Sequence, residues 1–200
     1  MAYTSCTASI AKNIVLNCSA PNVGGYTGRG VLVPIADDPI IAVNANNPRM
    51  LTSIAPASGK KFVAVDNVFA EPFSGSNTAS GSDSGRILYT KTISFRIPRR
   101  GAAVSKDIVE PLNNAPLGFM LIAEKKDKSG DGSFEVIGYL QGLRPNADGI
   151  TRDENANGGD IMVTMSCAEQ FFEVTMFDTS YATTKSAFDT LLASNTITES

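Results

Sequence analysis

Residues 86–100 read RILYTKTISFRIPRR. Ile87, Tyr89, Lys91, Ile93, Phe95 and Ile97 alternate with Leu88, Thr90, Thr92, Ser94 and Arg96, and the first set holds most of the apolar bulk. Successive side chains of a strand point to opposite faces, so the pattern predicts a strand with one buried and one wet face. Pro98 ends it, because proline brings no N–H to a sheet ladder. A strand this long reaches beyond an ordinary sheet edge.

Downstream, VSKDIVEPLNN (104–114) sets Val104, Ile108 and Leu112 four residues apart, which predicts one face of a short helix. Pro111 should bend that helix or end it near Glu110. LGFMLIAEKK (117–126) and SFEVIGYLQGL (133–143) flank the polar, glycine-bearing DKSGDG, the pattern of a hairpin. NADGITRDENANGGD (146–160) reads as a polar loop, DIMVTMSCAE (160–169) as an alternating strand and FFEVTMF (171–177) as one more. Tyr181, Lys185, Phe188, Leu191 and Leu192 recur at helical spacing and place a second helix over 183–194.

Upstream, EPFSGSNTASGSDSG (71–85) is almost free of large apolar groups. Such a segment buries too little to offset its ordering entropy, so it reads as a flexible loop or one that orders against a partner. Short apolar runs at 14–16, 31–33 and 62–65 alternate with turn residues. The whole therefore reads as one domain over 1–200. Its fold class is mainly β with minor α: a β-sandwich or barrel flanked by one short helix plus a C-terminal helix.

The chain has 200 residues and contains no histidine. That removes Ser-His-Asp and Cys-His catalysis and the usual catalytic zinc sites. Nothing in the sequence implies an enzyme or a cofactor. Seventeen basic against twenty acidic residues give a net charge of −3, which argues against general nucleic-acid binding. No apolar run approaches the roughly 20 residues of a membrane-spanning helix. The start, MAYTSCTASIAKNIVLNC, lacks the basic and apolar regions of a secretory signal. Cys6, Cys18 and Cys167 read as reduced thiols, with a Cys6–Cys18 bridge as the alternative.

Few motifs offer chemistry. Asp127, Ser129, Asp131 and Gly132 follow calcium-loop spacing, as do Asp153, Asn155, Asn157 and Gly158. Both lack the bidentate glutamate, with Gly138 and Thr164 at the twelfth position, so turn formation explains them as well. No metal site is assigned. Gly24 to Gly30 is glycine-rich without the GK[ST] ending of a phosphate loop. Arg96, Arg99 and Arg100, with Lys106, are either a solvated strand end or a contact with an acidic partner or neighbouring subunit. Phe171, Phe172, Met176 and Phe177 are either core or interface.

Taken in order, TISFRIP, SKDIVEPLNN, LGFMLIAEKK, SFEVIGYLQGLRP, ITRDENANGGD, MVTMSC and FDTSYATTKSAFDTLLAS resemble the tail-tube-like virion structural proteins of phages and prophages of Bacteroidetes bacteria. The likeness runs over about 86–194 and is fainter over the first 60 residues. It implies a subunit that forms rings, commonly hexameric, whose strands join into one barrel around a channel for DNA. The implied partners are further copies of the chain and other tail or head-tail proteins, with DNA as non-specific passing cargo and no membrane. The implied location is the virion tail, after synthesis in the bacterial cytoplasm. Strand 86–97 and hairpin 117–143 would then pair across subunits, with Ile93, Phe95, Arg96, Arg99 and Arg100 at the interface. The alternative is a β-sandwich capsid decoration or ligand-binding module, calcium-stabilised in one version.

Overall fold

A computed structural model describes residues 23–66, 73–80, 88–98, 101–128, 130–152, 159–169 and 171–193. The strands are β1 (Tyr26–Pro34), β2 (Ile40–Asn44), β3 (Asn47–Ala55), β4 (Val63–Asp66), β5 (Ser74–Ser80), β6 (Leu88–Ile97), β7 (Phe119–Lys125), β8 (Phe134–Ile137), β9 (Arg144–Arg152), β10 (Ile161–Glu169) and β11 (Thr175–Met176). Seven form one sheet in the order β2-β3-β11-β8-β7-β1-β4, and four form a second in the order β5-β6-β10-β9. The fold is mainly β in two sheets, with one short helix and a C-terminal helix. Among the described residues neither sheet closes into a barrel.

The large sheet is the middle of three layers. β7, FMLIAEK, does not alternate in polarity because both its faces are covered. Phe119, Leu121 and Ala123 join Leu32, Ile137 and the inner side chains of the small sheet in one core. Met120 and Ile122 join Val31, Val33, Phe134 and Val136 in a second core, closed by Phe188, Leu191 and Leu192 of the C-terminal helix, Tyr181–Ala193. The small sheet is covered on one face only, so its strands do alternate: Ile93, Phe95 and Ile97 of β6 face inward beside Ile161, Val163 and Met165 of β10. The register is regular, with Val163 opposite Phe95 and Met165 opposite Ile93.

The short helix runs over three turns: Ala102–Val104, a π-helical stretch Ser105–Val109, and Glu110–Asn114. Val104, Ile108 and Leu112 face the first core as their spacing predicts. Pro111 does not end the helix. It has no N–H to give, and its ring crowds the carbonyl one turn back. The wider π turn just before it, where the Glu110 N–H bonds to the Ser105 carbonyl, accommodates both.

Several expectations need correction. Residues 74–80 lie in the stretch read as a flexible loop, yet they form β5, paired with β6 from Ser74–Ser94 to Ser80–Leu88. Backbone hydrogen bonding to a neighbouring strand replaces the burial that the composition lacks, and Phe73 is anchored against Tyr26 and Phe95. The polar stretch after 146 begins inside β9; its alternation is hidden because a bulge interrupts the pairing with β10. The strand expected over 133–143 is only β8. Gly138, at φ 81°, turns the chain out of the sheet, and Leu143 rejoins by a bridge to Phe119. The 171–177 strand shrinks to β11, whose Met176 is core while Phe172 is exposed. The run at 14–16 lies outside the described residues.

Ile93 and Phe95 are 0% and 3% exposed inside one subunit. Side chains already covered by their own chain are not available to cover a neighbour, which corrects their placement at a subunit interface. Phe95→Ala should therefore cost about 3–5 kcal/mol of folding stability. A denaturant titration checks this: an unchanged midpoint would return Phe95 to the surface.

Candidate functional site

The first core turns polar at one end. On the inner face of β6 the apolar series stops at Lys91, on β10 it passes Cys167 to Glu169, and on β8 Glu135 replaces the next hydrophobe. Lys91, Glu135 and Glu169 are 1%, 7% and 0% exposed. Charges this deep are tolerated only in company. Lys91 Nζ lies 3.1 Å from Glu169 Oε2 and 4.0 Å from Glu135 Oε1. Glu169 Oε1 accepts a hydrogen bond from the Leu140 N–H at 3.3 Å. Glu135 Oε2 accepts one from the Tyr26 hydroxyl at 2.8 Å and pairs with Lys125 Nζ at 3.1 Å, and Lys125 also donates to Glu173.

Tyr26, Lys91, Lys125, Glu135 and Glu173 border a cleft of about 190 Å³, with Asn77 of β5 and the exposed Phe172 on its rim and Glu169 behind Lys91. Asn77 donates through Nδ2 to the Phe172 carbonyl. Two ammonium groups thus meet three carboxylates. The electrostatic consequences are specific. Burial first, then Glu135, pushes the Tyr26 hydroxyl well above its ordinary value. Burial works against the Lys125 charge, but Glu135 and Glu173 outweigh it and hold Lys125 above its usual range. Burial and the Glu169 carboxylate push the Cys167 thiol up to about 12, so it is an inert thiol.

A second charged cluster occupies the other face of the large sheet. Glu124, buried at 3%, pairs with Arg29 at 3.4 Å and Lys185 at 3.8 Å and accepts from the Thr27 hydroxyl at 3.0 Å. Arg29 and Lys185 also hold Asp189 at 2.8 and 2.6 Å. Burial opposes the Asp189 charge, but the bonds from Lys185 and Arg29 prevail and keep its carboxyl below the usual range. This cluster fastens the C-terminal helix to β1 and β7, and its Lys185 and Asp189 line a shallow groove open to solvent.

Of the residues singled out in the sequence, Ile93 and Phe95 belong to the core. Arg96 lies on the outer face of β6, opposite Met162. Arg99 and Arg100 lie outside the described residues. The second calcium-type loop and Ser129 of the first are also outside them, and among the described residues no group of three metal-ligating side chains converges. The glycine-rich stretch becomes the bulged start of β1. Gly30 is needed there for packing: a Cβ would sit 2.8 Å from the Phe73 ring. What the sequence reading missed is the polar cleft itself. Its one visible signal was Lys91 within the apolar set of β6.

No family model matches the chain, and no curated protein and no solved structure matches it.

Tyr26, Lys125 and Cys167 all have raised values in the folded protein, so the stability they contribute is present below their ordinary values and is lost as pH rises past them. Thermal melting should hold to about pH 9 and fall above it. Tyr26→Phe should flatten that alkaline decline; an equally steep fall in the variant would separate Tyr26 from it.

Proposed function

We propose that this chain is a structural subunit of a phage tail, a tail tube or related hub or ring component, which assembles by joining sheet edges of neighbouring copies. One observation carries the reading: among the described residues the outer side of β2 meets no strand, and only register irregularities in its pairing with β3, between Ala42 and Asn44, blunt it. Its sequence, IIAVN, has no charge and no proline, and Ile40 and Val43 are 64% and 42% exposed. Natural edge strands are normally blunted by charge, proline or bulges, because an open ladder recruits another strand. β9, at an edge of the small sheet, is blunted in that way by Arg144, Pro145, Arg152 and its bulge. β5, at the other, has neither charge nor proline. An edge with so little protection is suited to a partner strand, and strands added around a ring remove all edges at once.

The resemblance of 86–194 to tail-tube-like virion proteins supports the tail as the setting. The net charge of −3 suits a channel through which DNA passes without being held. In this reading the interface shifts from Ile93 and Phe95 to the exposed side chains of β2, and an obligate contact should bury more than about 2,000 Å². The charged cleft favours a second reading, a ligand-binding module, which predicts discrete particles and no ring.

Light scattering with negative-stain electron microscopy decides between them. The wild type should form rings or tubes with an open channel. The double variant Ile40→Lys, Val43→Lys should remain a folded 21.1 kDa subunit, with an unchanged circular dichroism spectrum. A wild type that stays at the subunit mass at every concentration, or a double variant that still forms normal rings, overturns the assignment.

A further inference from the structure

Three polar atoms in and beside the charged cleft are buried without a hydrogen-bond partner: Lys91 Nζ, Glu169 Oε2 and Asn77 Oδ1. Lys91 and Glu169 are close enough to pair at 3.1 Å but are not aligned as a hydrogen bond. Native interiors rarely leave such groups unmade, and each instance calls for a reason. All three residues lie on the inner face of the small sheet, on the adjacent strands β5, β6 and β10. Asn77 stands directly opposite Lys91 in the β5–β6 register, which brings their Cβ atoms to about 5 Å. Glu135 faces them from the other sheet, 4.0 Å from Lys91 Nζ.

We propose that this cluster forms an intramolecular isopeptide bond between Lys91 and Asn77, assisted by Glu169. An amine, a carboxamide and a carboxylate are the complete set of reactants for amide exchange. The Lys91 ammonium passes one proton to Glu169 Oε2, which removes two charges from an interior that holds charge poorly. The freed Nζ electron pair attacks Asn77 Cγ, and the C=O pair moves onto Oδ1. On collapse of that tetrahedral carbon the Cγ–Nδ2 bond breaks. Nδ2 takes a proton from Glu169 and departs as ammonia, while Nζ returns its own second proton to Glu169. The products are a Lys91 Nζ–Asn77 Cγ amide, one ammonia and a protonated Glu169, so hydrogen and charge balance without any oxidant or cofactor. Fixing the reactants on paired strands supplies the proximity that a free amine and amide lack in water. The product also accounts for the three unpaired atoms: the amine is consumed, and the acid can donate to the new carbonyl. The bond would tie edge strand β5 covalently to β6.

Mass spectrometry of the intact, denatured wild-type chain tests this. The expected mass is lower than that of the sequence by one ammonia, and proteolysis should yield a branched peptide joining the segments of Lys91 and Asn77. Asn77→Ala and Glu169→Gln should both show their full sequence masses. Asn77 is only half-buried at a sheet edge, so its variant is a measurement on folded protein, and the mass reading itself needs no fold. A wild type that keeps its full mass after prolonged incubation overturns the proposal. So does a deficit that persists in Asn77→Ala, which would place the loss of ammonia at another asparagine.

Discussion

Three neighbouring strands, β1, β7 and β8, must be covered on both faces, and the other elements take their places from that need. Val31 and Val33 point one way along β1 and Leu32 the other; β7 divides its apolar residues in the same fashion. A sheet of this kind cannot rest one face in water without exposing a contiguous apolar surface. The small sheet covers one side and the C-terminal helix the other. The π-bulged helix closes the first core where Leu112 reaches it, 5% exposed.

The same alternation governs the charges. On neighbouring strands of the large sheet, Glu124 of β7 points toward the helix and Glu135 of β8 toward the small sheet. Each carboxylate is met by one cation from the layer it faces and one from its own sheet: Lys185 and Arg29 for the first, Lys91 and Lys125 for the second. Removing one member of such a group leaves a buried charge uncompensated, which in other proteins costs about 3–5 kcal/mol. The two clusters differ in what they enclose. The first is a fastening between helix and sheet, partly open to solvent. The second borders a cleft and retains unsatisfied atoms.

Much of the fold was legible because period and burial agree wherever an element is covered on one side. The alternation in β6 and β10, the Val104, Ile108 and Leu112 stripe and the Phe188–Leu192 face all lie where their spacing put them. β5 was not legible, because SGSNTAS is held through backbone pairing and composition records only side-chain burial. β9 was hidden by its bulge. At the site, Lys91 was correctly placed among the inward residues of β6. Its partners were beyond reach, because Glu135 and Glu169 come from distant stretches that only the packing of two sheets brings together.

Among the described residues the large sheet is continuous only through β11. That strand contributes two residues, pairing in parallel with β3 through Met50 and Leu51 and with β8 through Glu135 alone. By contrast, β1 and β7 share a ladder from Val33–Met120 past Gly30–Ala123. In backbone terms the sheet is two stiff panels joined by a narrow seam, with the β2–β3 hairpin as the smaller panel. Stability in such an assembly is unevenly distributed, and opening is easiest where few bonds cross. The hairpin that carries the β2 edge is thus tied to the rest of the sheet less by backbone bonds than by side chains, with Leu51 and Ile54 of β3 sunk into the second core.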